Sequence, residues 1–404
     1  MAEPHVRRHL ALAQLTSAVG DGAFYTTSAL YFTQALGLSP FRVGLGLTVG
    51  WAVGSVAGVP LGRLADRHGP RGTAAALAVA AALAVAAFTV VHGLLAFMAA
   101  ACVYASAQSG FAAARQALLA GLVPAGRRTG LLAGLQATLN AGLAAGAGLG
   151  GLALHAGTRQ AYLAVFAADA VSFLGCAALL LRLPRPVPVP VPHGRLAVLR
   201  DRPYAVVALL NTVLLLRLPL LSLVLPLWIT ERTSAPAWLV SALFVLNTAA
   251  VTVFQVRAAR GVTGLGGATS AIRRSGWVMG AGCAVFALSA GASPGAAAGL
   301  LVLGAVCQVA AEMGQSAGAW QLSFALAPAG RIGEYQGFFG TGTTVARTLG
   351  PLVLTAVIVE WGVAGWFLLA ALTLGASYAM GPAARWAAAG RRGEAAGLPA
   401  VPVR

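Results

Sequence analysis

Six ionisable side chains lie inside long apolar runs, where little water is available to solvate a charge. Three are acids and three are arginines. A charge at the centre of a lipid bilayer costs about 3 kcal/mol even on mild insertion scales, so such groups face protein or water and often bind protons or substrates. The alternative is a set of structural ion pairs that fix the register of neighbouring helices. The six are Asp21, Arg115, Asp169, Arg217, Glu312 and Arg347.

Glu312 and Asp21 are the candidates for proton chemistry. Glu312 shares a helix face with Gln308 and Gln315, at spacings of four and three residues, so its neighbours are neutral hydrogen-bonding groups. No arginine lies near it on that face, and the pattern predicts a carboxyl group that can take and release a proton. Asp21 lies between two glycines, which loosen a helix beside a binding cavity. It is the second candidate carrier, with a substrate contact or an ion pair with Arg217 as its alternatives.

The balance of three acids and three bases suggests a further hypothesis about charge. Arg217 and Arg347 would neutralise acids across the binding space and leave that space nearly uncharged.

The densest charge cluster in the chain is the segment 62–71, which falls between apolar runs at 41–61 and 73–92. It is expected to be a loop at a membrane face, with glycines at both ends for a tight reversal and arginines among lipid headgroups. The segment resembles the loop signature of the major facilitator superfamily, G-x-L-a-D-r-x-G-r-r, with Pro70 in place of a basic residue. The matching residues are Gly62, Leu64, Ala65, Asp66, Arg67, Gly69 and Arg71.

This resemblance implies a fold of twelve membrane-spanning helices and a cycle of alternating access. It also implies that the second span meets the eleventh and the fifth meets the eighth. Glycine stripes on the second span, at 46, 50, 54, 58 and 62, and on the fifth, at 142, 146 and 150, suit such close contacts. Asp66 is then expected near the positive N-terminal end of the eleventh helix, around Gly333 to Gly337, with Arg115 as a second possible partner.

Composition independently predicts an all-α integral membrane protein. The chain of 404 residues is 58% hydrophobic and only 9% charged, and its mean hydropathy is +0.81. Twelve apolar runs are each long enough to span a bilayer or nearly so. They lie near 10–36, 41–61, 73–92, 95–121, 131–154, 161–182, 204–230, 237–257, 275–292, 296–322, 334–359 and 362–384.

The runs form two sets of six that look like copies of one another. The segment Pro124–Arg127 recurs as Pro328–Arg331, an offset of 204 residues that also relates Gln108 to Glu312. We therefore predict two pseudo-symmetric halves, 1–183 and 204–386. A Pro- and Arg-rich linker at 184–203 joins them, with a polyproline spacer over 183–192, and a tail follows at 387–404.

Arginine placement predicts the orientation in the membrane. All basic charge is arginine, and twenty-one arginines lie in the N-terminus, the C-terminus and alternate gaps, whereas the opposite gaps hold only Arg42, Arg159 and Arg232. By the positive-inside rule both termini and the 62–71 segment are cytoplasmic. Because the arginines are spread over short gaps rather than one basic face, their partners are lipid phosphates and not nucleic acid.

These patterns indicate a secondary active transporter of a small molecule. The chain most resembles the bacterial exporters of drugs and metabolites driven by proton flow, acting as a monomer in the plasma membrane. An uptake permease or symporter for a small metabolite is the alternative within the class. A membrane-embedded enzyme or a channel is the alternative outside it, but no His–acid pair shares a helix face and there is no P-loop. The four cysteines lack C-x-x-C spacing, so no metal or other cofactor is expected.

Overall fold

The fold is a bundle of long helices. A computed structural model describes residues 3–186 and 196–396, and within these ranges all regular structure is helical. Its twelve segments confirm the predicted all-α, twelve-helix membrane fold, and ten of them, all but α1 and α9, are long and apolar enough to cross a membrane. The segments are α1 (Glu3–Leu30), α2 (Pro40–His68), α3 (Pro70–Ala87), α4 (Gly93–Leu122), α5 (Ala125–Ala156), α6 (Arg159–Leu181), α7 (Arg202–Arg232), α8 (Leu239–Ala259), α9 (Gly264–Leu288), α10 (Pro294–Ala325), α11 (Ile332–Leu354) and α12 (Val363–Ala396).

The segment α7 is broken in its middle, although its apolar run predicts one continuous helix. It consists of two helices, Arg202–Leu215 and Leu225–Arg232, joined by tight turns and a wide π-type turn. Pro219 accounts for the break, because proline has no N–H to donate and its ring clashes with the preceding helical turn. Arg217 lies at this break, and its backbone carbonyl accepts a hydrogen bond from the N–H of Leu220 at 3.0 Å.

The predicted loop at 62–71 is almost entirely helical, which corrects the sequence interpretation. The second helix continues to His68, and Pro70 already begins the third. Gly69 alone connects them, with φ of +95°, a conformation that residues with a Cβ rarely adopt. Pro70 suits the first position of a helix because its missing N–H has no intrahelical role there.

Packing divides the chain into two compact units. The first unit contains Met1–His193, Thr248–Arg257 and Ala329–Thr344, and the second contains Gly194–Asn247, Ala258–Pro328 and Val345–Arg404. The first therefore holds α1 to α6, part of α8 and the start of α11. The predicted polyproline spacer lies largely outside the described residues, and α12 extends to Ala396.

An aromatic cluster forms the core of the first unit. Phe32 and Phe97 meet with ring centroids 4.8 Å apart, and Phe24 meets Phe166 at 5.1 Å. All four rings are buried. In a bilayer such packing stabilises helix association mainly through van der Waals contact, because lipid is as apolar as the side chains.

Small residues on α5 make a second close contact inside the first unit. A Cβ on Gly146 would overlap the carbonyl oxygen of Val19, and one on Gly150 would lie 2.9 Å from the carbonyl oxygen of Ala23. The glycine stripe of the fifth span thus packs on α1. The expectation that this stripe meets the eighth span is wrong, because a glycine stripe indicates a close partner without indicating which one.

The second unit has its own core around two tryptophans. Trp228 and Trp366 are fully buried, with ring centroids 5.5 Å apart in an edge-to-face arrangement. The indole N–H of Trp228 donates to the Ser289 hydroxyl at 2.9 Å, so its polar atom is satisfied. This core holds the C-terminal part of α7 beside α9 and α12.

Candidate functional site

Asp66 binds the start of α11 in the first unit. Its Oδ1 accepts from the backbone N–H of Gly333 at 2.7 Å, and its Oδ2 accepts from the N–H of Glu334 at 2.9 Å. The first N–H groups of a helix have no intrahelical acceptor and form the positive end of its dipole. Asp66 therefore caps α11 from another helix, at the place where the sequence led us to expect it.

Two pairs of glycines allow this contact by bringing the backbones of α2 and α11 together. A Cβ on Gly62 would overlap the carbonyl oxygen of Gly333, and a Cβ on Gly337 would overlap that of Gly58. Larger residues at these positions would separate the helices and pull the Asp66 carboxylate away from the amides. Gly62 thus serves close approach and not a chain reversal.

The same glycine stripe has a second partner at its other end. Gly50 and Gly54 pack on the backbone of α4 at Ala101 and Ala105. The second span therefore contacts α4 along one part of the stripe and α11 along the other.

The arginines of the 62–71 segment do different things. Arg71 donates through Nη1 to the carbonyl oxygens of Leu181 and Leu183, at 3.2 and 2.8 Å, and so caps the C-terminal end of α6. Arg67 is exposed. One arginine of the motif is thus structural, while the other faces the surroundings.

Asp21 is the centre of a polar cluster between α1 and α4. Its Oδ1 accepts from Gln108 Nε2 at 3.0 Å and from the Tyr104 hydroxyl at 3.3 Å, and Gln108 also donates to the Tyr104 oxygen at 2.9 Å. Both donors to this carboxylate oxygen thus come from α4, within the first unit. The alternative of an ion pair with Arg217 stays a prediction.

Arg115 and Asp169 lie in the same unit without pairing with each other. Arg115 donates to Gln14 Oε1, and its guanidinium lies 5.4 Å from the centroid of the Phe111 ring. Asp169 is fully buried on α6 and contacts the Ser172 hydroxyl at 3.3 Å through Oδ1. The hydrogen-bond partner Gln14 is neutral, and the role of Arg115 as a second partner of Asp66 stays a prediction.

A second polar cluster joins the break in α7 to α10 in the second unit. Arg217 Nη1 lies 3.4 Å from Glu312 Oε2, and Arg217 Nη2 donates to Gln315 Oε1 at 2.9 Å. Gln315 Nε2 in turn donates to Asn211 Oδ1 at 2.8 Å. The arginine is buried, with 5% of its side chain exposed, whereas Glu312 is 25% exposed. The cluster is thus a charged pair with one accessible member, braced by two amides.

This arrangement corrects the reasoning that favoured Glu312 as a proton carrier. The sequence predicts only neutral neighbours for Glu312, but Arg217 reaches it from another helix and forms an ion pair with it. Gln308, expected in the same stripe, is buried and its Oε1 has no hydrogen-bond partner within the described ranges. A single helix face shows neighbours along the chain and not those across it.

Arg347 does not take part in either cluster. Its side chain is exposed on α11, and it forms no ion pair with any residue that the structure describes. Of the two arginines predicted to neutralise acids, Arg217 pairs with Glu312, whereas Arg347 pairs with no acid among the described residues.

Sequence reasoning missed the neutral partners of the charges. Gln14, Tyr104, Ser172 and Asn211 all lie in apolar runs and all bond to the charged groups or to their immediate partners. The sequence could have indicated these residues, since each is a polar residue inside an apolar run. Among residues 3–186 and 196–396, no three His, Cys, Asp or Glu side chains converge on a point that could hold a metal ion.

Similar structures share the whole fold at low sequence identity. The crystal structure of a bacterial homologue of the iron transporter ferroportin, in an outward-facing state, has a TM-score of 0.74 at 16% identity, and the match covers 95% of this chain and 99% of that one. The human organic anion transporter MFSD10 has a TM-score of 0.68 at 16% identity, with coverage of 94% and 100%. The proton:xylose symporter XylE has a TM-score of 0.66 at 13% identity, with coverage of 93% and 94%.

Such likeness shows the fold alone, because these transporters differ in what they carry. No curated protein is similar enough in sequence to match the chain. Residues 10–351 do match the Major Facilitator Superfamily as a family. That match covers most of the chain and agrees with the twelve-helix fold and the Asp66 contact. The chain belongs to the major facilitator superfamily.

Proposed function

We propose that the protein is a proton-coupled transporter that exports a small molecule by alternating access. One observation carries the proposal: each unit contains a polar cluster around a charged residue at mid-membrane depth, Asp21 in the first and Arg217 in the second. Such groups are costly in a bilayer and are retained where protons or substrates bind. Both clusters join the first and fourth helices of their half, which supports a duplicated binding machinery.

The two clusters differ in the task that their chemistry suits. Glu312 is partly exposed and tied to a buried arginine, so it suits a substrate contact or a group that exchanges partners during the cycle. Asp21 accepts hydrogen bonds from two neutral groups, Tyr104 and Gln108, and the cation near it, Arg115, donates to Gln14, so a proton can neutralise Asp21 without breaking an ion pair. We therefore assign proton coupling to Asp21 and substrate contact to Arg217, Glu312 and Gln315.

The Asp66 contact supports the alternating part of the cycle. Asp66 caps α11 only while α2 and α11 are close, so the contact favours one conformational state over another. Given the predicted orientation, this contact closes the cytoplasmic side. Export follows the sequence resemblance to proton-driven exporters, and proton-coupled uptake is the alternative direction.

Flux measurements in vesicles of both orientations test the proposal. An exporter should accumulate substrate in inverted vesicles with an acidic interior, and a panel of amphipathic compounds supplies the candidate substrates. Asp21→Asn should abolish the dependence on the gradient. Gradient-driven accumulation only in right-side-out vesicles with an acidic exterior would support the uptake alternative, and no gradient-dependent flux in either orientation would overturn the proposal. Accessibility of tags at the two ends of the chain tests the cytoplasmic orientation separately.

A further inference from the structure

The buried carboxyl of Asp169 takes no part in the proposed function. It lies on α6 with none of its surface exposed, and its Oδ2 has no hydrogen-bond partner within the described residues. Gly20 on α1 makes room for it, because a Cβ at Gly20 would overlap Asp169 Oδ1 and the Ser172 hydroxyl. The carboxyl is therefore buried between α6 and α1. It packs against Gly20, the residue that precedes Asp21 on α1.

An ionised carboxylate does not fit this site. It would offer two oxygens with about four acceptor positions, and among residues 3–186 and 196–396 the only donor to them is the Ser172 hydroxyl. That hydroxyl lies 2.8 Å from the backbone carbonyl oxygen of Asp169 and 3.3 Å from Oδ1, so its single hydrogen already has a better acceptor. A bare negative charge in such surroundings is strongly unfavourable, because burial removes its hydration without supplying a partner.

A protonated carboxyl fits without conflict. In that form the acid O–H of Asp169 would donate to the Ser172 oxygen, while the Ser172 O–H donates to the backbone carbonyl oxygen, so that every donor has one acceptor. Only the uncharged Oδ2 then lacks a partner, which is a much smaller cost than an unpaired charge.

The surrounding charges favour the same assignment. Asp169 feels the negative charge of Asp21, and Tyr104 is the other titratable group near it from α4. Arg115 is the one cation in the interior of these helices and is the counter-charge available to Asp21. The helix α3 carries no titratable side chain beyond Arg71, and α5 carries none between Arg128 and His155. Arg115 therefore counters the charge of Asp21, whereas the charge beside Asp169 is negative, so a proton on Asp169 balances the group.

We infer that Asp169 is a proton-binding site and that it is protonated in this structure, while Asp21 carries the negative charge. The two acids form a proton-binding pair beside Gly20 of α1, with Asp21 the more accessible member and Asp169 the sealed one. Its role in transport rests on the proposed function, but the protonation itself does not.

Infrared spectroscopy of the purified protein in lipid tests the inference directly. The wild type at neutral pH should show the C=O stretch of a protonated carboxyl, and Asp169→Asn should lose that component. Glu312→Gln is the matched control, because Glu312 belongs to the second unit and pairs with Arg217, so its removal should leave the component in place. A component that persists in Asp169→Asn would overturn the inference.

A second variant keeps the test open if Asp169→Asn does not fold. Asp21→Asn removes the neighbouring negative charge, so the Asp169 component should disappear at a lower pH than in the wild type, and an unchanged pH dependence would refute the pairing. In vesicles, Asp169→Asn should retain substrate exchange while gradient-driven accumulation falls to the rate without a gradient. If the infrared component is lost but no transport is found for any variant or the wild type, the proton site stands and the proposed function fails.

Discussion

Replacing Asp66 by asparagine should release the start of α11. Asparagine keeps one oxygen acceptor but presents an NH₂ group to the second backbone N–H, so one of the hydrogen bonds to Gly333 and Glu334 is lost along with the negative charge. A hydrogen bond to a charged group contributes roughly 1.5–3 kcal/mol, and a carboxylate at a helix N-terminus up to ~2 kcal/mol. Because these terms overlap and Asp66 is only half-buried, we expect a loss of about 2 kcal/mol.

Hydrogen–deuterium exchange measures that loss where it occurs. A change of about 2 kcal/mol corresponds to roughly 30-fold faster exchange for amides protected by the contact. Peptides that begin α11 should therefore exchange faster in Asp66→Asn, with lower transport and normal expression. Asp201→Asn is the matched control, because Asp201 caps α7 through the N–H of Tyr204 at 3.1 Å and is remote from α11 along the chain. Unchanged exchange at the start of α11 in a folded Asp66→Asn protein would refute the reasoning.

Two further predictions concern close approach and buried charge. Gly62→Ala should lower thermal stability and transport, because overpacking typically costs about 1–3 kcal/mol. The control is Gly266→Ala, at the duplicate position with open space around it, which should be neutral or slightly stabilising. Equal effects of the two variants would contradict the close approach of α2 and α11 at Gly62. Glu312→Gln should destabilise the protein more than Arg217→Gln in denaturation experiments, by about 1 kcal/mol or more, since the first leaves a buried cation unpaired and the second leaves a partly solvated acid. The reverse order would show that the arginine is better solvated than its burial indicates.

The twelve-helix architecture was predictable because hydropathy over about 20 residues reports membrane spans directly. The break in α7 was less obvious, yet its signal was Pro219 inside an apolar run. The end of α2 was misplaced because a cluster of charges suggests a loop, whereas Arg, Leu and Ala are all good helix formers. Only Gly69 needed a non-helical conformation.

Which side chains meet across helices could not be predicted from the sequence. Glu312 looked free of arginines because Arg217 is 95 positions away along the chain. Arg217 lies at the break in α7, and the sequence of α10 contains no sign of that break. The partner of Asp66 was predictable only through a family motif, which carries information from other proteins. For Asp21, Asp169 and Arg115, spacing along one helix cannot tell which of its neighbours across the bundle supplies the hydrogen bonds.

The single residue between α2 and α3 limits how the two helices can move. A longer connection would act as slack and let α2 shift while α3 stayed still, but one glycine offers only two torsion angles. When α2 tilts and the Asp66 contact breaks, α3 must therefore either rotate about Gly69 or move together with α2. Arg71, two residues after Gly69, donates hydrogen bonds to the C-terminal end of α6. A movement of α3 is therefore transmitted to α6 as well. The short connection therefore couples α2, α3 and α6. Loss of the two Asp66 hydrogen bonds should displace all three helices together.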